Sequence, residues 1–209
     1  MMINEIFKSL QGEGIEMGVP TVFVRLTGCP LRCKWCDQED AWTSGKSMGV
    51  EEVLDAVGSY DCSYVCVTGG EPLAQDEAIG LITRLLDSGY MVSVETGGSE
   101  PLQELPCSDA LMISLDIKCP SSGMHEKMDF TNIELLSPSD QLKLVVADKE
   151  DYAYAKSIIE KYKPQCSIVM QPVGGKDLRW LAESVLEDNL RARVLPQLHK
   201  IIWGDKSGV

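Results

Sequence analysis

The chain has no apolar run approaching the roughly 18 residues that a bilayer-spanning helix needs. Its opening, Met1-Met2-Ile3-Asn4-Glu5-Ile6, has neither the basic segment nor the apolar one of an export signal. The expectation is a soluble cytoplasmic protein with no membrane partner. Positive charge is in deficit: 19 Lys and Arg stand against 32 Asp and Glu, a formal net charge of -13. An acidic surface of that size disfavours a direct grip on nucleic acid or anionic lipid. Repeats, low-complexity tracts and Pro/Ser-rich linkers are also lacking, so the 209 residues read as one domain, 1–209. What is present is ordinary for a globular chain with its own core: 44% hydrophobic and 24% charged residues.

Eight cysteines in a cytosolic chain of this size are not a disulfide framework, because the compartment keeps thiols reduced and the core needs no staples. Cys62, Cys66, Cys107, Cys119 and Cys166 are scattered and read as small core residues. Cys29, Cys33 and Cys36 instead fall within eight residues.

Short apolar runs rich in β-branched residues recur at Thr21 to Thr27, Tyr64 to Thr68, Met91 to Thr96, Leu111 to Ile117, Gln141 to Val146 and Ser167 to Pro172. Each has the continuous character of a buried parallel strand. Helical segments alternate with them, notably Val50 to Gly58, Asp76 to Ser88, Lys149 to Lys161 and Asp177 to Glu187. The pattern predicts an α/β fold with a parallel sheet of about six βα units, an open partial barrel rather than the eight-unit closed one. Ligands of such sheets collect beyond the carboxyl ends of the strands. There the chain carries Gly28-Cys29, Gly69-Gly70-Glu71-Pro72, Glu95-Thr96-Gly97-Gly98, Asp116-Ile117-Lys118 and Gln171-Pro172.

The spacing Cys29-x3-Cys33-x2-Cys36 lets three thiolates surround one metal centre from a single loop. Three ligands leave an open position, whereas structural zinc wants four. A zinc site stays open as an alternative if Cys62, Cys66, Cys119 or His125 folds back as the fourth ligand. With a period of two, Val22, Val24 and Leu26 share one face of the first strand, and Phe23, Arg25 and Thr27 share the other. Arg25 therefore faces the residues leading to the cysteines. A guanidinium inside a barrel needs a partner, either a ligand carboxylate met bidentately or an internal acid.

The C-x3-C-x2-C spacing, with the aromatic Trp35 before the last cysteine, resembles the radical S-adenosylmethionine (SAM) enzymes. The resemblance implies a four-iron, four-sulfur cluster on Cys29, Cys33 and Cys36 whose open iron binds SAM and reduces it to a deoxyadenosyl radical. It places Trp35, Asp37, Gly70, Glu71, Glu95, Thr96, Asp116, Lys118, Gln171 and Pro172 around SAM. Glu71 would accept from its ammonium, and Glu95 and Thr96 would take its ribose. Taken singly, Glu71 reads equally well as a turn residue at the positive end of a short helix that starts at Pro72.

A second signature runs through Leu10-Gln11-Gly12-Glu13-Gly14, Pro20 to Cys29, Thr68 to Pro72, Lys118-Cys119-Pro120-Ser121-Ser122-Gly123 and Gln197-Leu198-His199-Lys200. It is similar to the 7-carboxy-7-deazaguanine synthases, radical SAM enzymes of the queuosine and archaeosine pathways. That resemblance implies ring contraction of 6-carboxy-5,6,7,8-tetrahydropterin with loss of ammonia. It implies substrate contacts from Leu10, Gln11 and Gly12 through backbone groups, and from Arg25, Thr68 and His199. It also implies flavodoxin or ferredoxin as reductant and a Mg2+ ion near the last cysteine, while the small size, with few helices to cover the barrel, leads to the expectation of a homodimer. Relatives have Thr or Ser two residues after that cysteine, where this chain has Gln38, whose carbonyl also ligates hard cations. In some relatives the terminal carboxylate reaches substrate, which draws attention to the tail Trp203 to Val209. Two other readings use the same triad: an activase for a partner's glycyl radical, and a zinc or electron-carrying module.

Overall fold

The computed structural model describes residues 1–175, 177–204, 206 and 208–209. Its centre is one nine-stranded sheet, ordered β3-β1-β2-β4-β5-β6-β7-β8-β9. The strands are β1 Met2–Leu10, β2 Pro20–Leu26, β3 Lys46–Ser47, β4 Tyr64–Gly69, β5 Met91–Thr96, β6 Leu111–Lys118, β7 Gln141–Val146, β8 Ser167–Pro172 and β9 Arg193–Val194. From β2 through β9 every neighbouring pair is parallel. The sheet does not close, and it curls into the expected open partial barrel.

Four helices cover its convex face: α1 Val50–Gly58, α2 Glu77–Asp87, α3 Lys149–Tyr162 and α4 Leu178–Glu187. A six-residue helix, α5 Leu198–Trp203, follows β9. The central strands are continuously apolar because they bury both faces. Val22, Val24 and Leu26 of β2 pack with Val65, Val67, Val92 and Val94 against Val53, Val57, Leu81, Ile82 and Leu85 of α1 and α2. Leu142, Leu144, Ile168 and Met170 pack likewise against Ala155, Ile158 and Ile159 of α3 and Leu181 and Val185 of α4. This sends Phe23 and Arg25 to the concave side, as the alternation along β2 requires.

The structure departs from the sequence expectation in three places. β1 is a nine-residue antiparallel partner of β2, pairing Phe7 with Phe23 and Leu10 with Pro20. The crossover from β5 to β6 holds no helix, and that from β6 to β7 has only 3-10 turns, at Pro120–Ser122, His125–Lys127 and Phe130–Leu135. Cys107 is exposed rather than a core residue. Among the described residues no helix is long and apolar enough to cross a membrane.

Candidate active site

Because β1 runs against β2, the loop that leaves Leu10 starts at the amino-terminal end of the barrel and crosses beneath it. Gln11 Nε2 reaches Cys66 Sγ of β4 at 3.8 Å, and Ile15 N donates to Gln141 Oε1 at the start of β7, 2.8 Å away. Gly14, at a φ of +72°, lies where a Cβ would come within 2.3 Å of the Gln141 amide, so this close crossing needs glycine. The loop is a floor, and the barrel becomes a cup that opens at the carboxyl ends of the strands. The cup encloses a cavity of about 240 Å³.

One wall is the loop after β2. Cys29, Cys33 and Cys36 all line the cavity, with Trp35, Asp37 and Gln38 beside them. The loop is seated by backbone bonds from Glu71 N to Gly28 O (2.7 Å) and from Lys34 N to Ser122 O (3.0 Å). Gly70 lies so close beneath it that a Cβ would come within 2.1 Å of Gly28 O and 2.8 Å of Cys29 Cβ. Burial pushes the Cys29 and Cys33 thiols above their ordinary range, with Lys118 pulling the other way in both cases. Such thiols are poor anions until a metal supplies the missing positive charge. No three His, Cys, Asp or Glu side chains among the described residues are arranged to hold a single metal ion.

The neighbouring wall comes from β5 to β7. Lys118 Nζ sits 3.0 Å from Asp116 Oδ2 and 5.8 Å from the centre of the Trp35 ring. Asp116 Oδ1 is buried and has no hydrogen-bond partner among the described residues, so it is a ready acceptor for a bound hydroxyl or amine. Gly70, Thr96 and Gly97 complete this wall.

The substrate group of the sequence reading shares the cavity: Leu10, Gln11, Gly12, Arg25, Thr68 and His199 all line it, with Arg25 and Thr68 paired across β2 and β4. Arg25 has an internal partner, since its Nε donates to Glu5 Oε1 at 2.8 Å and its guanidinium lies 6.0 Å from the Phe7 ring centre. Its Nη atoms make no hydrogen bond among the described residues and remain available. Gln11 spends its own N–H and C=O on Val19 and Gly18 of the floor loop, both at 2.8 Å. The Gly12 N–H stays free of protein partners among the described residues. Gly12 itself is covered by His199, whose Nδ1 would be 2.1 Å from a Cβ there.

Glu95, expected beside the cofactor, is bonded to this group. Its Oε1 accepts from Gln11 Nε2 at 3.2 Å and its Oε2 from Thr68 Oγ1 at 3.5 Å.

Three other residues expected around the cofactor do not line the cavity. Glu71 is fully buried and off the cavity wall; it accepts from Thr96 Oγ1 (2.8 Å), Gly97 N (2.7 Å) and Leu73 N (3.2 Å). The turn-capping reading of Glu71 is the one realised: its carboxylate lashes the end of β4 to the end of β5 at the start of the Pro72–Ala74 turn. Burial pushes its carboxyl up to about 7, despite those donors. Gln171 and Pro172 are buried behind the wall, where Gln171 Nε2 donates to Pro196 O at 3.0 Å.

The sequence reading missed the most deeply buried charges of the site. Lys143 Nζ is 2.6 Å from Glu13 Oε2 and 3.6 Å from Asp116 Oδ2, and Gln197 Nε2 donates to Glu13 Oε1 at 2.6 Å. Burial alone raises the Glu13 carboxyl, but the charge and hydrogen bond of Lys143, with the bond from Gln197, outweigh it and hold Glu13 down at about 2. Lys143 is correspondingly raised. One signal was available: a lysine, the one charged residue of the strand, on the inward face of Gln141-Leu142-Lys143-Leu144-Val145-Val146. At the mouth, Lys200 Nζ stands 3.9 Å from Asp37 Oδ2, and Lys206, Gly208 and Val209 line the cavity. Asp205 and Ser207 of the same tail lie outside the described residues.

The residues fit an iron–sulfur cluster with SAM: three unpaired thiols on one loop, a cradle beneath Cys29 that any Cβ at position 70 would fill, and an unpartnered buried carboxylate oxygen beside them. Comparison with known proteins agrees. The radical SAM superfamily model matches residues 23–176. A 7-carboxy-7-deazaguanine synthase of Thermoplasma acidophilum is 38% identical over 209 residues, covering all of both chains. One from Methanospirillum hungatei is 44% identical over 206 residues, covering 97% of this chain and 85% of its own. The crystal structure of QueE from Escherichia coli superposes with a TM-score of 0.78 at 24% identity, covering 93% of each chain.

Proposed function

Because the chain belongs to the 7-carboxy-7-deazaguanine synthases of the radical SAM superfamily, we propose that its cup binds 6-carboxy-5,6,7,8-tetrahydropterin and contracts it to 7-carboxy-7-deazaguanine and ammonia, for queuosine- or archaeosine-type 7-deazapurines. The observation that carries this reading is the shared cavity: the three cysteines of one loop line it together with Arg25, Thr68, Glu95 and His199. Neither an activase, which needs a protein-docking surface, nor an electron carrier calls for such an enclosed wall.

Cys29, Cys33 and Cys36 would hold the cluster, and Trp35, Asp37, Gly70, Thr96, Asp116 and Lys118 would surround SAM. When bound, the two supply a carbon-centred radical that takes and returns one hydrogen of the substrate. The protein's own residues bind, orient and exclude water. Arg25 uses Nε for Glu5 and keeps its Nη edge for the substrate carboxylate. Glu95, steadied by Gln11 and Thr68, offers acceptor oxygens to the N–H edge of the pterin. The Gly12 N–H adds a donor, and His199 closes over it. Asp37 and Gln38 offer hard oxygens for Mg2+, with substrate and water completing its shell.

On the same reading the chain is one cytoplasmic domain that works as a homodimer. Ile201 and Ile202, 64% and 47% exposed beside the mouth, suit a second copy. Flavodoxin or ferredoxin would deliver the electron at the exposed edge of the cysteine loop.

Arg25→Gln tests the assignment. In the anaerobically reconstituted protein the variant should keep its iron and its SAM affinity while pterin affinity falls about 10- to 100-fold, the worth of a charge-assisted bond or two. Unchanged pterin affinity would remove Arg25 as the anchor.

A further inference from the structure

Trp35 stands between two cluster cysteines, and its indole is fixed from outside the cavity. Its Nε1 donates to Ser121 Oγ at 3.1 Å. The Ser121 hydroxyl in turn donates to Asp151 Oδ2, and Ser121 N donates to Asp151 Oδ1 at 2.9 Å. Asp151 lies in the first turn of α3, is 1% exposed and does not touch the cavity wall. Its oxygens take one further bond, from Ala147 N at 2.9 Å, and no cation pairs with it among the described residues. A buried carboxylate without a counter-ion is costly to keep, so its three donors define what it does.

Resting on the function proposed above, we propose that Asp151 is a positioning residue that acts through Ser121 to hold Trp35, and with it the cysteine loop, in the pose that binds SAM. A serine hydroxyl can donate or accept, and its hydrogen rotates to suit its neighbours. By taking that hydrogen, Asp151 leaves Ser121 Oγ only its lone pairs for the indole N–H. The indole is then kept in line with Lys118 Nζ, which lies over its ring. The backbone bond from Lys34 N to Ser122 O seats the same stretch of loop, so residues 118–122 form a saddle whose one adjustable polar contact is the Trp35 bond.

The test uses the full-length, anaerobically reconstituted protein, with SAM as the probe. Ser121→Ala, Asp151→Asn and Trp35→Phe each break the relay at a different point. Each should raise the SAM dissociation constant about 3- to 10-fold, the worth of one hydrogen bond. Each should also weaken the change that SAM induces in the electron paramagnetic resonance spectrum of the reduced cluster, with iron content and melting temperature near wild type. Ser121→Thr, which keeps the hydroxyl, should restore both. Combining Ser121→Ala with Trp35→Phe should cost no more than either alone.

If SAM affinity and the SAM-induced spectral change are unaltered in folded Ser121→Ala and Trp35→Phe, the proposal is overturned, and Asp151 only anchors the segment that enters its helix, through Ala147 N. If Thr fails to rescue, the relay is likewise overturned, because any bulk change at 121 would then suffice. Wild-type protein that loads iron but shows no SAM-induced spectral change would sink the function proposed above together with this one.

Discussion

Lys143→Met removes one half of a buried ion pair and leaves a side chain of similar length. The pair is 6% exposed at Lys143 and 14% at Glu13, with 2.6 Å between the charges. Losing one partner of such a pair strands the other without compensation, which costs about 3–5 kcal/mol. The titration of Glu13 gives a second route to the size: depression of its carboxyl from 4.5 to about 2 corresponds to about 3 kcal/mol of stability. Because the folded-state value is depressed, that stability is present above about pH 4.5 and is lost as pH falls toward 2. In Lys143→Met burial acts on Glu13 with the main lowering influence gone, leaving chiefly the Gln197 bond against it, and raises it relative to wild type, so the variant is penalised most at neutral pH and regains ground on acidification. With a urea m-value of roughly 2 kcal/mol/M, the midpoint at pH 7 should fall by about 2 M. The gap to wild type should narrow below about pH 5, and Glu13→Gln combined with Lys143→Met should be more stable than Lys143→Met alone. A midpoint within about 0.3 M of wild type, or a double variant no better than the single one, would refute the reasoning.

Two further outcomes follow from the glycines of the cup. Gly70→Ala drives a methyl into Gly28 O and Cys29 Cβ, both parts of a seated loop that cannot swing aside; iron retained after reconstitution should drop several-fold while the helical circular dichroism stays. Gly12→Ala meets the His199 imidazole instead, which can rotate out toward solvent, so steady-state kinetics should show KM for the pterin rising about 10-fold with the fold intact.

The parallel strands were legible because burial on both faces leaves continuous apolar runs, and all six begin and end within a residue or so of the expected bounds. β1 was not, since Met2-Ile3-Asn4-Glu5-Ile6-Phe7-Lys8-Ser9-Leu10 has its side chains mostly half-buried and so mixes polar and apolar residues without a clean alternation. Missing β1 hid the floor loop, and with it the reason that residues 10–14 enter the site from below. The cysteine loop could be read because its three cysteines are local. Glu13 and Lys143, 130 residues apart, become partners only when the floor crosses the barrel, and no local pattern joins them. Glu71 lay in a legible motif, yet motif alone does not say which way a side chain turns at a strand end. The Thr96, Gly97 and Leu73 donors turn it inward and leave the wall to Gly70 and Gly97.

The central claim is that one cavity binds the pterin and the cluster-bound cofactor together and performs the ring contraction. Mass spectrometry of an anaerobic incubation of the reconstituted protein with SAM, a strong reductant and 6-carboxy-5,6,7,8-tetrahydropterin tests it most directly. The account predicts a product lighter than the substrate by one ammonia, with SAM not consumed in proportion. Iron-loaded protein that cleaves SAM to 5'-deoxyadenosine and leaves the pterin unchanged would contradict it.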